Sequence, residues 1–197
     1  MRTMTTRLAL CVTLAASSCL AHAQLKLDGR ESSLNFISIK NGAVGEVHSF
    51  SSMAGEIGES GEASVVIDLD SVETLIPIRN ERMREMLFKT ADFPKASVSA
   101  QVEPAVLQAA SEEGVTQVEL PLRVSLHEAE ANLNGSFTVV GEGDGRVRVF
   151  SARPLLVNAA SFGLEPGIEA LREVAGLSAI STSVPVTLQL VFVPSTE

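Results

Sequence analysis

Along most of the chain, apolar residues recur at every second position, the period of a strand with one face in a core and the other in water. The clearest run is Val118 to Leu126, where Val118, Leu120, Leu122, Val124 and Leu126 alternate with Glu119, Pro121, Arg123 and Ser125. The same alternation predicts strands over 34–40, 47–57, 63–69, 96–102, 131–139 and 184–192, and another from Arg146 toward Asn158. Asn41-Gly42, the Gly58 to Gly61 stretch and the Gly141 to Gly145 stretch supply turns between them. Pro121 cannot donate to a ladder, so a bulge or an unpaired edge is expected there. The stretch from Gln24 to Ser33 reads as a polar approach to the first strand.

The period changes between Ser71 and Pro94. Met83, Met86 and Leu87 fall at the i, i+3, i+4 spacing of one helical face, and Pro77 suits a first turn, so a helix is predicted over Ile78 to Phe88. A second short helix is predicted over Ile168 to Val174. Two readings of the first helix stay open: a plug whose Met/Leu face closes one end of a filled core, or a lid over an apolar ligand to which flexible methionines adapt. About eight half-apolar antiparallel strands with one or two short helices predict an all-β fold. A closed barrel fits the pattern better than a sandwich.

Composition changes the picture at the start of the chain. Arg2 and Arg7 precede the apolar run Leu8 to Leu20, and Ala21-His22-Ala23 is a small-x-small site. That is the pattern of a cleaved secretory signal over 1–23, with a single domain over 24–197 and a periplasmic address. Both cysteines, Cys11 and Cys19, fall within that segment, so disulfides and thiolate chemistry are not expected in the mature domain. Processing as a lipoprotein at Cys19 is the alternative, although the large aliphatic residue expected three positions before it is missing. The formal charge of −9 grows more acidic once two arginines are removed, which argues against nucleic acid as a partner.

Candidate chemistry is sparse. His48 and His127 stand far apart with no Cys or His at ligand spacing, so no metal site is expected. Asp68 and Asp70 share a strand face and read as solvated charge rather than an acid–base pair. No Gly-x-Ser-x-Gly elbow occurs, and the glycine run at 141–145 is followed by a strand rather than a helix that would receive a phosphate. The expectation is therefore no catalytic residues and no enzyme activity. What remains is apolar volume, and the inward positions suit either a dry core or a hydrophobic tunnel.

Several ordered segments carry a resemblance. Leu27-Asp28 with Ser33-Leu34-Asn35-Phe36 is followed by Ser71-Val72-Glu73-Thr74, Arg79-Asn80-Glu81-Arg82-Met83-Arg84, Leu87-Phe88 and Phe93-Pro94. Leu126-His127 and Ser161-Phe162-Gly163-Leu164 come later. The series resembles the YceI-like family, exported lipid- or polyisoprenoid-binding proteins with an extended lipocalin-like barrel. Asn80 stands where that family has Asp, and Glu128 where it has Gly. The resemblance implies a non-enzymatic carrier of a long apolar ligand of isoprenoid, quinone or fatty-amide type, with no other cofactor. On that reading Met83, Met86 and Leu87 face the ligand at the mouth, and Phe36, Ile67, Leu122, Leu133, Phe137 and Leu188 line its path. A packed barrel that docks by its acidic surface on a membrane-bound redox partner is the alternative, and a homodimer is left open.

Overall fold

The computed structural model describes residues 25–111 and 114–195. The segment read as a signal, with Cys11 and Cys19, lies outside the described residues.

The chain runs β1 (Leu25–Leu27), β2 (Ser33–Lys40), β3 (Val44–Phe50), β4 (Met53–Ile57), β5 (Glu62–Asp68) and β6 (Val72–Glu73). Helix α1 (Pro77–Arg82) follows and passes without a break into a π-helical turn, Met83–Phe88. Then come β7 (Lys95–Gln101), α2 (Pro104–Ser111), β8 (Val115–Leu126), β9 (Ala129–Gly141), β10 (Val147–Ser151), β11 (Leu155–Asn158), α3 (Glu165–Val174) and β12 (Ser183–Pro194).

All pairings between these strands are antiparallel, and the order β1-β4-β5-β7-β8-β9-β10-β12 returns to β1, which closes an eight-stranded barrel. Strands β2, β3, β6 and β11 extend its wall at one end. Two of the predicted strands are broken in the middle: 47–57 into β3 and β4, and the run from Arg146 toward Asn158 into β10 and β11. Between β3 and β4 the chain steps out at Ser51-Ser52, where Ser71 completes the bonding: its Oγ accepts from Ser52 N–H and its carbonyl from Ser51 N–H. Between β1 and β2, Ser32 Oγ accepts the Val191 N–H. Hydroxyls thus replace missing ladder partners, so no buried backbone group need go unpaired at these steps.

Two features were not anticipated. β1 lies within the stretch read as polar, because Leu25 and Leu27 alternate over too few residues to register as a strand. Helix α2 is the other, and its cause is Pro121. The β7–β8 ladder holds only Ser97, Val98 and Ser99 against Ser125, Val124 and Arg123; two pairs further, Gln101 would meet Pro121. The proline ends the ladder, as the missing N–H requires. Beyond it α2 packs against β8 and β9, placing Val106, Leu107 and the buried Ala110 in the opening.

Turn chemistry agrees with the sequence at Asn41-Gly42, where both residues take positive φ (51° and 75°) in the β2–β3 hairpin. The β8–β9 hairpin makes the same demand of less suitable residues, since His127 and Glu128 sit at φ 54° and 61°. The left-handed region costs a side chain about 1 kcal/mol or more. Replacing Glu128 with Gly is therefore expected to raise unfolding stability by about 1 kcal/mol, read as a higher urea midpoint at unchanged slope.

Candidate functional site

Because inward side chains alternate along every strand, the barrel's interior is apolar by construction. It is not full. A cavity of about 280 Å³ runs through it, lined by apolar side chains from nearly every strand. Two details keep it open. Ala63 and Ala100 face each other across β5 and β7, and both line the cavity, so one stretch of wall carries only methyl groups. On β9, Gly135 leaves room for the Phe137 ring, whose atoms lie 2.4 Å from where a Cβ on Gly135 would stand.

Both ends are capped by helices. Val106 and Leu107 of α2 close one end, while Leu87 and Phe88 of the π-helical turn and Ile168 of α3 close the other. At the second end the caps are tightly joined: a Cβ on Gly167 would lie 2.7 Å from the Met86 carbonyl oxygen and 2.8 Å from Leu87 Cα. Only glycine lets α3 approach the turn so closely.

Of the residues expected to line the ligand's path, Phe36, Ile67, Leu87, Leu122, Leu133, Phe137 and Leu188 all border the cavity. Met83 and Met86 do not. Met83 is buried among Leu69, Val72 and Phe88, and Met86 is half-buried. The π-helical segment accounts for Met86, because i→i+5 bonding swings residues three apart further off a common face; Met83 stays in the core cluster beneath the cap. Leu87 and Phe88 meet the lumen instead. Phe50, Phe88 and Ile168 are lining residues that sequence reasoning missed. The Leu87-Phe88 pair was the available signal for the second of these.

The start of α1 is held by a polar knot. Asn80, buried, accepts from both the backbone N–H and the hydroxyl of Thr74 through Oδ1, and its Nδ2 donates to Glu73 Oε1. This accounts for the departure from Asp at this position, since a carboxylate could not donate to Glu73 and would repel it. Arg79 donates to the Thr74 carbonyl and pairs with Glu46, which also pairs with Lys40. Asp68 and Asp70 have structural roles: Asp68 Oδ1 caps the 3-10 turn Leu69–Ser71, and Asp70 accepts from Thr90 and faces Arg84.

Hydrogen bonding from Lys40 and the nearby Arg79 charge outweigh desolvation and hold the Glu46 carboxyl below its usual range. A depressed folded pKa gives stability that is fully present above the unfolded value of about 4.5 and lost as pH falls through the folded one. Acidification from pH 6 to pH 3 should therefore loosen α1 from the β2–β3 hairpin. Thermal unfolding should show that Glu46→Gln flattens this acid loss.

Among the described residues no group of three or more His, Cys, Asp or Glu could hold a metal, and no helix is long and apolar enough to cross a membrane.

The model of the YceI-like domain matches residues 25–192. A polyisoprenoid-binding domain from Saccharophagus degradans, implicated in plant cell wall breakdown, superposes with a TM-score of 0.83 at 38% identity, covering 88% of this chain and 99% of its own. BcnA of Burkholderia cenocepacia shares the fold with a TM-score of 0.67 at 16% identity, over 84% of this chain and 98% of its own. A YCEI protein of Campylobacter jejuni does so with a TM-score of 0.51 at 13% identity, over 76% of this chain and 85% of its own. No match was found among proteins of curated function.

Proposed function

The chain belongs to the YceI-like family, and from that membership and the barrel's interior we propose that it is an exported, non-enzymatic carrier of a long apolar molecule. One observation carries the reading: a closed barrel with an unfilled, apolar lumen capped by helices at both ends. Burial of a hydrocarbon chain there gains about 25 cal/mol for each Å² removed from water. The volume lies near the lower end of ligand pockets, which suits a slender acyl or prenyl chain better than a fused-ring molecule. The polyisoprenoid bound by the Saccharophagus relative supports an isoprenoid, isoprenoid quinone or fatty amide as the ligand class here. The signal-like segment at 1–23 supports the periplasm as its place of work. A filled interior, the condition for a barrel that acts only by surface docking, is not what the cavity presents.

Native mass spectrometry of freshly purified protein, followed by organic extraction, tests the proposal. A bound long-chain lipid, or uptake of an added prenyl lipid by the emptied protein, is expected. Protein that is empty and refuses prenyl lipids would overturn it.

A further inference from the structure

Among the described residues eight large apolar side chains stand exposed, and five of them belong to two neighbouring segments. Leu75, Ile76 and Ile78, with Pro77 exposed between them, form an unbroken apolar run at the entry to α1. Val44 and Val47 flank Glu46 in β3, and Glu46 is the residue to which Arg79 of α1 is tied. Four consecutive exposed apolar residues cost solubility, and such a run calls for a function.

The run is held in place from beneath. Leu75 is 87% exposed and sits at φ 63°, in the left-handed region that a leucine enters only under constraint. The constraint is polar: Glu73 accepts the Leu75 N–H, buried Thr74 is bonded twice to Asn80, and Arg79 donates to the Thr74 carbonyl. Arg79 and Lys40 share Glu46 at the polar end of the β2–β3 hairpin, where Ser38 is also hydrogen-bonded to His48. A buried network thus presents a leucine to the outside.

Charge, area and position select what covers it. In residues 73–82 and the hairpin pair tied to them, Lys40, Arg79 and Arg82 balance Glu46, Glu73 and Glu81, in a chain of formal charge −9. A neutral apolar tip on an acidic protein suits an uncharged surface. The five side chains offer a few hundred Å², short of the roughly 800 Å² that each partner in a stable dimer buries. The run also leads without a break through α1 into the turn whose Leu87 and Phe88 close the cavity.

We propose that Leu75, Ile76 and Ile78 insert into the surface of a zwitterionic lipid bilayer. The capped end of the barrel then lies against the phase in which a long apolar cargo dissolves. This rests on the carrier reading for its purpose, while docking itself is measured apart from uptake.

Flotation with phosphatidylcholine vesicles is the test. Wild-type protein should float with the vesicles, and equally well at about 0.5 M salt, where exposed charges are screened. In the double variant Leu75→Gly, Ile78→Ser the affinity should fall about tenfold or more, the scale of withdrawing one leucine from an apolar phase. Glycine takes a positive φ freely, so the variant should melt no lower than wild type. Geranylgeraniol added from ethanol should enter both proteins alike, whereas its transfer out of vesicles should slow in the variant. Wild-type protein that does not float, binding that needs anionic lipid or vanishes with salt, a variant that floats equally well, or equal transfer rates would overturn the docking and leave the carrier reading standing. A dimer in sedimentation equilibrium that the variant lacks would overturn it too, with a second copy as the occupant. Flotation without uptake of geranylgeraniol by either protein would keep the docking and sink the carrier reading.

Discussion

Ala100→Phe is expected to abolish lipid uptake while leaving the barrel folded. Ala100 and its cross-strand partner Ala63 are both small and both border the lumen. A phenyl ring at this point occupies space that the ligand needs. Losing only about 100 Å² of ligand contact, at 25 cal/mol per Å², removes about 2.5 kcal/mol, or roughly a seventyfold loss of affinity. The protein has no such reason to weaken, because an apolar ring placed in an apolar void gains contacts instead of displacing neighbours. Circular dichroism and thermal melting should show a midpoint equal to or above that of the parent, while titration with a prenyl lipid shows no uptake. Retained affinity in this variant would mean that the ligand lies elsewhere.

The largest effect on stability is expected at Gly61. Its φ is +82°, a Cβ there would stand 2.1 Å from the Val102 carbonyl oxygen, and Val102 N–H bonds to the Gly61 carbonyl at 2.8 Å. Relief cannot come from a flexible side chain, because the obstacle is backbone at the end of β7. Gly61→Val combines left-handed strain in a β-branched residue with a main-chain collision and should cost about 3–5 kcal/mol, the range of severe single substitutions. Urea denaturation of the two proteins measures it. A loss under about 1 kcal/mol would show that the β4–β5 turn can move away from Val102.

The barrel was legible because its signal is periodic. Every long strand shows the alternation, and Asn41-Gly42 and the glycine-rich run at 141–145 mark hairpins that the structure contains. Pro121 announced a broken ladder, but not what would fill the opening. The eight residues from Pro104 to Ser111 are too few to display a helical period, though Pro104 before a run of helix formers was a usable starting signal. Met86 fell off the expected face because spacing arguments assume 3.6 residues per turn and the segment is π-helical, and Met83 packs into the core beneath the cap. The polar patch around His48 was invisible for another reason. Ser38, Lys40, Glu46 and His48 read as ordinary hairpin residues until register places them on one face and α1 covers them.

Strand β12 pairs with β1, β2, β10 and β11, so a single segment near the C-terminus joins both ends of the sheet. A chain delivered from its N-terminus therefore cannot complete the ring until residues 183–194 arrive. Up to that moment β1 lacks β12, and both β1 and β2 wait for the final strand over a sequence separation of more than a hundred residues. Loop-closure entropy makes such late, distant pairing slow, which keeps a nascent polypeptide open at the β1–β12 seam until its last strand is made.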